Sequence, residues 1–407
     1  MIQEFQDGKE RMMPELKVHP LESPPTDVSS PPRVKTGKLD HIDALRGIAA
    51  LSILFYHMSG RVTALFGLYP FQMLPDRFIG LNMASVPLFF VISAFTLYLS
   101  LDNKSEEKDR FIKFYIRRFF RIAPLFYFLL ILVVLDYIIH DKALSWTELL
   151  SNFAFAFNLV PEYSKSLTID GWTIGVEMLF YLFLPLIFLK VNNIKRAIIF
   201  TIAVFYLALA GKQLEVMILG EQIVNEYWHY NLFKWLFIFP VGILCYMVYK
   251  NYLPKIKKEH EVPTAIGMLF LAIIVLFYFV DNFDLNLAIY DRFEPLTVLT
   301  SMQIMSPIAF CLLILSLSLA TNGLIVNRIT RFYGMISYSF YLVHPYLMAL
   351  LESVYKYIYA HTVISTDISF CLCVLLTIIA ATAVSWFTYH FVESPGMRYG
   401  KKIIARM

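Results

Sequence analysis

Hydrophobic and polar positions alternate along this chain in long blocks. Apolar runs of about 20 residues recur from residue 42 onward and are separated by shorter, charged stretches. At 1.5 Å of rise per residue, a helix of about 20 apolar residues covers the ~30 Å hydrocarbon core of a membrane. Such runs are too long for barrel strands. We therefore predict an all-α integral membrane protein of about ten transmembrane helices, at 42–60, 83–101, 119–140, 171–190, 197–219, 232–250, 263–281, 302–321, 334–357 and 367–392. The apolar segment 149–160 is too short to cross and is expected to be interfacial or re-entrant.

The composition agrees with a membrane protein. The chain is 58% hydrophobic and 16% charged, whereas soluble domains are about 45–50% apolar and about 25% charged. The four cysteines all fall within predicted spans, where they are expected to be small buried residues. No disulfide framework and no metal site is indicated.

Lysine and arginine positions predict the orientation. They concentrate in every second connection and at the C-terminus, as the positive-inside rule requires of cytoplasmic segments. Both termini are therefore predicted to be cytoplasmic. The net charge of +4 reflects this sorting, and no nucleic-acid partner is expected. The basic residues of these segments include Lys104, Lys108, Arg110, Lys113, Arg117, Arg118, Lys250, Lys255, Lys257, Lys258, Arg398, Lys401, Lys402 and Arg406.

Three segments follow from this pattern. Residues 1–38 combine prolines with charges and serines without a sustained period, which predicts a disordered cytoplasmic tail without a cleaved signal peptide. Residues 39–397 form the transmembrane domain. Residues 398–407 are predicted to be a basic cytoplasmic tail.

Ionisable residues inside spans are costly and often mark functional sites. Arg46 and His57 are eleven residues apart, which places them within ~20° of one helix face and ~16 Å apart along the axis. Asp43 lies on the same face, one turn before Arg46. If this stripe is considered alone, a structural explanation is as good as a functional one: Arg46 would extend its charge to the membrane surface, and His57 would be an isolated buried histidine.

A second basic element begins the third span. Arg118 and Arg121 are three residues apart and share a helix face, and Arg121 already lies inside the apolar run. Guanidinium groups bind phosphate oxygens bidentately. These residues and Arg46 therefore predict a cytoplasmic pocket for a ligand with several phosphates.

Further polar residues occur in the later spans. Glu177 interrupts the fourth span, where it would orient a partner, close a cavity or pair with an arginine. Ser337, Tyr341 and His344 share one face of the ninth span. Glu393 precedes Ser394-Pro395, where termination of the helix before a proline explains it better than catalysis.

Six motifs follow one another in the region from about 39 to 397. They are Asp43-x-x-Arg46-Gly47 with His57; Val86-Pro87-Leu88-Phe89-Phe90-Val91-Ile92-Ser93; Arg118-x-x-Arg121-Ile122-x-Pro124; Trp172-Thr173-x-x-x-Glu177-x-x-Phe180-Tyr181; Ile336-Ser337-Tyr338-x-x-Tyr341-Leu342-x-His344-Pro345; and Glu393-x-Pro395. In this order they make the region resemble the acyltransferase family 3 of bacterial membrane O-acyltransferases. The family often has an aspartate or small residue in place of Pro87 and a glycine in place of Ala94.

The resemblance implies a multi-pass enzyme of the bacterial cytoplasmic (inner) membrane. It would move an acyl group, usually acetyl, from cytoplasmic acyl-CoA to a hydroxyl of an extracytoplasmic polysaccharide or lipopolysaccharide, or of a lipid-linked precursor. Acyl-CoA would be a co-substrate, with no permanently bound cofactor. Arg46, Arg118 and Arg121 would hold its phosphates, and His57 would be the general base, with an acyl-His57 intermediate as the less favoured variant. Supporting roles are expected for Asp43, Trp172, Glu177, Ser337, Tyr341 and His344.

Two other classes of function remain. A secondary transporter or glycan exporter would also retain charges in its spans. However, such proteins often consist of two related halves, and the Arg46–His57 stripe has no counterpart in the later spans. A membrane sensor or scaffold would leave the arginine set unexplained.

Overall fold

The chain folds into a bundle of helices that follows the apolar blocks of the sequence. The structure is a computed structural model that describes residues 39–69, 84–281, 301–361 and 365–407. Within these ranges the regular structure is helical, without strands. The predicted disordered tail, 1–38, lies outside the described residues. The helices are α1 Asp40–Phe66, α2 Ser85–Asn103, α3 Arg110–Ile139, α4 Trp146–Phe153, α5 Trp172–Lys190, α6 Ile194–Leu219, α7 Glu221–Tyr227, α8 Leu232–Leu236, α9 Ile238–Tyr252, α10 Lys258–Asp281, α11 Ser301–Leu319, α12 Arg328–Leu350, α13 Glu352–His361, α14 Thr366–Thr388 and α15 Ser394–Ala405.

The prediction of an all-α membrane fold is confirmed. Among the described residues, eight helical segments are long and apolar enough to cross a membrane, and the pair α12 and α13, bent by 57°, makes nine. The shorter apolar helix Gln303–Leu319 lies in the eighth predicted span. Each of the ten predicted spans thus coincides with a helix or a helix pair.

One further segment agrees with the expectation, and another differs from it in detail. The segment 149–160 begins inside α4, an eight-residue helix that is too short to span a bilayer. Most of the predicted tail 398–407 belongs to α15, which packs against α3. Gly400 fits closely over the Phe120 ring there, so this end of the chain is part of the bundle.

The most extensive helix contact joins α1 and α12, and glycines make it possible. A Cβ atom on Gly334 would lie 1.8 Å from the Asp43 carbonyl oxygen, and one on Gly47 would lie 2.0 Å from the Thr330 carbonyl oxygen. Small residues at such crossings let the backbones of membrane helices approach closely. Gly47 and Gly334 therefore determine the distance and register between the two helices.

We predict that Gly334→Ala destabilises the bundle, because the added methyl group forces α1 and α12 apart. Overpacking of this kind costs about 1–3 kcal/mol. The matched control is Gly60→Ala, also on α1, where a Cβ atom meets nothing within 4 Å. Denaturant unfolding in detergent should show a lower midpoint for Gly334→Ala only. Equal midpoints for both variants would contradict the role assigned to this crossing.

The lysine and arginine pattern predicts opposite sides of the membrane for the end of α1 and the start of α10. Reporter fusions at Gly67 and Lys258 should therefore respond oppositely, with Lys258 on the cytoplasmic side. The same response at both positions would overturn the ten-span topology.

Candidate active site

The crossing of α1 and α12 brings two histidines together. His57 follows Gly47 by ten residues, and His344 follows Gly334 by ten residues. Each histidine is therefore ~15 Å along its helix from the contact point. The two rings stack with an interplanar angle of 10°, and His57 Nδ1 lies 2.9 Å from His344 Nε2.

The hydrogen-bond partners determine which nitrogen carries each proton. His344 is fully buried, and its Nδ1 lies 3.0 Å from the Phe340 carbonyl oxygen. Because a carbonyl only accepts, Nδ1 of His344 carries the hydrogen and Nε2 of the neutral ring is an acceptor. His57 then donates from Nδ1 to His344, which leaves the lone pair on His57 Nε2 available for a proton.

Asp170 is the third member of this group. Its Oδ2 lies 3.3 Å from His57 Nδ1, and its backbone is left-handed, with φ of 57°, a conformation that aspartate tolerates better than most residues. Burial raises the pKa of the Asp170 carboxyl above its ordinary value, and the nearby His57 opposes that shift. A carboxylate at this distance stabilises an imidazolium cation when one forms.

A cavity of about 370 Å³ opens among the helices near Arg46. We call it the basic-end cavity, because arginines and a lysine line part of it, and aromatic and hydroxyl side chains line much of the rest. The lining includes Arg46, Arg117, Arg118, Arg121, Lys401, Phe89, Phe90, Ser93, Thr173, Glu177, Tyr181, Ser337, Tyr338 and Tyr341. The lining therefore combines positively charged groups with apolar surface.

The arginines of this cavity differ in how well they are satisfied. Arg117 donates to Glu107 Oε2 over 2.6 Å. Among the described residues, Arg46 makes only long polar contacts, 3.8 Å from Asp43 Oδ1 and 3.3 Å from Thr96 Oγ1. Arg118 faces the Phe114 ring, and within the described parts of the chain its buried Nε has no hydrogen-bond partner. Arg46 and Arg118 are therefore the cations best placed for an anionic ligand.

Arg121 has an internal partner, which the sequence did not reveal. It forms an ion pair with Glu393, a fully buried residue that also accepts a hydrogen bond from Ser339 over 2.8 Å. Glu393 ends a turn of π-helix, Tyr389–Glu393, between α14 and α15. The interpretation of Glu393 as a helix terminator was wrong, because the helical path continues through Pro395 and the carboxylate neutralises Arg121.

The remaining polar residues line or flank the cavity. Ser93 donates to Glu177 and lies 3.0 Å from the Tyr181 hydroxyl. Ser337 donates to the Gly334 carbonyl oxygen. Trp172 is a buried aromatic residue that packs against the rings of His229 and Trp235.

Tyr341 connects the cavity with the histidine pair. Its hydroxyl accepts from Thr173 over 3.0 Å and donates to the Asp170 carbonyl oxygen over 3.3 Å. Its ring lies 6.0 Å from that of His344. Tyr341 therefore belongs both to the cavity lining and to the contacts around Asp170 and His344.

Comparison with known proteins identifies the family of this chain. The family model described as an acyltransferase domain, of the acyltransferase 3 type, matches residues 39–390. The chain belongs to the acyltransferase 3 family. No solved structure matches it.

The relatives carry names of the same kind. A candidate acetyltransferase of Acidianus two-tailed virus is 30% identical over 319 residues, which are 76% of this chain and 83% of the viral protein. A candidate O-acetyltransferase of Staphylococcus aureus strain COL is 26% identical over 392 residues, 89% of this chain and 58% of that protein. The peptidoglycan O-acetyltransferase OatA of Listeria monocytogenes is 27% identical over 167 residues, 37% of this chain and 24% of OatA.

In this acyltransferase, residues of the family motifs come together at two sites, the basic-end cavity and the histidine pair. Arg46, Arg118 and Arg121 line one cavity. His57 does not line it and belongs with His344 and Asp170. Asp170 was missed, and its sequence signal is weak: one carboxylate two residues before Trp172, just ahead of a predicted span.

Proposed function

We propose that this acyltransferase moves an acetyl group from acyl-CoA on the cytoplasmic side to a hydroxyl of an extracytoplasmic glycan or its lipid-linked precursor. The names of the relatives support O-acetylation, and OatA supports a glycan acceptor. The proposed location is the bacterial cytoplasmic membrane.

The observation that carries the donor assignment is the buried Nε of Arg118, which has no hydrogen-bond partner in the described residues, at the wall of the basic-end cavity. A buried, uncompensated guanidinium is costly, and a phosphate group that entered the cavity would offset that cost. CoA carries several phosphates on one end and a thioester on a long arm. Arg118 and Arg46 would bind the phosphates, while the apolar interior would take the arm and the acyl group.

In the proposed reaction, His57 is the general base. Its Nε2 removes the proton from the acceptor hydroxyl as that oxygen attacks the thioester carbonyl carbon. The C–S bond breaks, and the CoA thiolate leaves and takes up a proton. His344 positions His57 by accepting from Nδ1, and Asp170 stabilises the imidazolium that forms. For this step the thioester would extend from the cavity toward His57 beside Tyr341 and Thr173, which line the cavity.

We predict that Arg118→Ala weakens acyl-CoA binding at least tenfold, since hydrogen bonds to charged groups contribute about 1.5–3 kcal/mol. Arg118→Lys should restore little, because the planar fork is lost. Binding of acetyl-CoA to the purified protein is the measurement. Arg196→Ala, an exposed arginine on α6 that bonds Asn192, is the control and should bind normally. Unchanged affinity in Arg118→Ala would refute the donor site.

Arg121→Ala is not a clean test of the same site. It leaves Glu393 buried without its counter-ion, and breaking a buried ion pair costs about 3–5 kcal/mol. We expect Arg121→Ala to lower the unfolding midpoint, whereas Arg118→Ala should not.

We predict that His57→Ala retains acetyl-CoA binding but transfers about 10²–10⁴-fold more slowly, as loss of a positioned base does. Single-turnover transfer from bound acetyl-CoA measures this step. His344→Ala should also be slow, because it removes the acceptor that orients His57. The exposed His260 supplies the control, and His260→Ala should transfer normally. Wild-type transfer by His57→Ala would show that the base is another residue.

A further inference from the structure

Three donor atoms converge beside the basic-end cavity. His57, His344 and Asp170 each offer one possible ligand atom, and these three atoms lie within 4.8 Å of one another. Two of the separations are 2.9 Å, between the imidazoles, and 3.3 Å, between His57 and Asp170. We call these three residues the His–His–Asp cluster.

These separations are close to those around a tetrahedral metal ion. Zinc binds imidazole nitrogen and carboxylate oxygen at about 2.0–2.2 Å, which places neighbouring ligand atoms about 3.3–3.5 Å apart. The His57–Asp170 separation already fits. The two imidazoles need to separate by only a few tenths of an ångström.

The surroundings of the cluster also match those of a metal site. A histidine that binds a metal usually donates its other ring N–H to a carbonyl or carboxylate, as His344 does to Phe340. Asp170 Oδ2 is buried and has no hydrogen-bond partner of good geometry within the described part of the chain. The side chains of His57 and Asp170 are 26% and 20% exposed.

We propose that the His–His–Asp cluster binds a divalent transition-metal ion of the Zn²⁺ or Co²⁺ class, and that the bound ion stops acyl transfer. Two imidazoles and one carboxylate are ligands that suit such ions. The inhibitory part of this proposal rests on the proposed role of His57.

Inhibition follows from the proton positions. The metal takes the lone pair of His344 Nε2 and requires one on His57 Nδ1. The hydrogen on His57 Nδ1 therefore leaves, and the neutral ring is protonated at Nε2 instead. His57 thus loses one proton at Nδ1 and gains one at Nε2, so its total is unchanged. Asp170, if protonated, would release its proton when it binds the metal. The lone pair that would accept the hydroxyl proton is then absent, so metal binding and catalysis exclude each other.

The test is direct titration of the full-length protein with Co²⁺. The protein is purified without a polyhistidine tag and stripped with a chelator. We expect one Co²⁺ per chain, with the visible absorption of a nitrogen and oxygen site and without the charge-transfer bands of a thiolate site. His344→Gln and Asp170→Asn should each weaken binding by at least about 10–100-fold, since loss of a residue that only orients a ligand already has an effect of that size. His260→Gln should bind like the wild type.

The outcomes separate this proposal from the proposed function. Absence of Co²⁺ binding, or unchanged binding in His344→Gln, overturns the metal site and leaves the role of His57 standing. Single-turnover transfer with added Zn²⁺ gives the second readout, and we expect a chelator to restore the lost activity. Binding at the cluster without loss of transfer overturns the inhibition and also removes His57 as the base.

Discussion

The close approach of α1 and α12 is the constraint on which the rest of the site depends. Gly47 and Gly334 each contact backbone of the other helix, so neither position accepts a side chain without moving a helix. Because His57 and His344 follow these glycines by the same ten residues, the crossing also sets the distance between the two rings. A change of one residue in register would rotate either histidine by about 100°. The histidine pair is therefore a consequence of backbone packing.

Charge inside the bundle is divided between structure and ligand binding. The ion pair between the partly exposed Arg121 and the buried Glu393 joins α3 to the turn before α15, so each charge is compensated by the other. Arg118 lies one helical turn earlier and has a buried nitrogen without a hydrogen-bond partner among the described residues. Paired and unpaired arginines share one cavity wall. The pairing rather than the residue type distinguishes a structural arginine from a candidate ligand-binding arginine.

Apolar block length and helical period were sufficient to predict the spans and the shared depth of Arg46 and Arg118. These properties are local, since each depends on neighbours within one helix. The pairs His57–His344 and Arg121–Glu393 are separated by 287 and 272 residues, and no periodicity encodes the register between two distant helices. Asp170 lies in a connection with a left-handed backbone, which has no period. The helix over most of 398–407 was missed because the segment was interpreted from its basic residues alone. Its contact between Gly400 and Phe120 is made with a distant helix.

The two partners of His57 suit different stages of proton transfer. His344 orients His57 through a neutral contact, because its imidazole accepts the Nδ1 hydrogen and selects the tautomer without adding charge. Asp170 lies 3.3 Å away, and its attraction increases when His57 becomes a cation. Interactions that strengthen as charge develops accelerate a reaction, whereas those already present in the ground state do not. Under the proposed mechanism, His344 therefore acts mainly before proton transfer, and Asp170 acts during it.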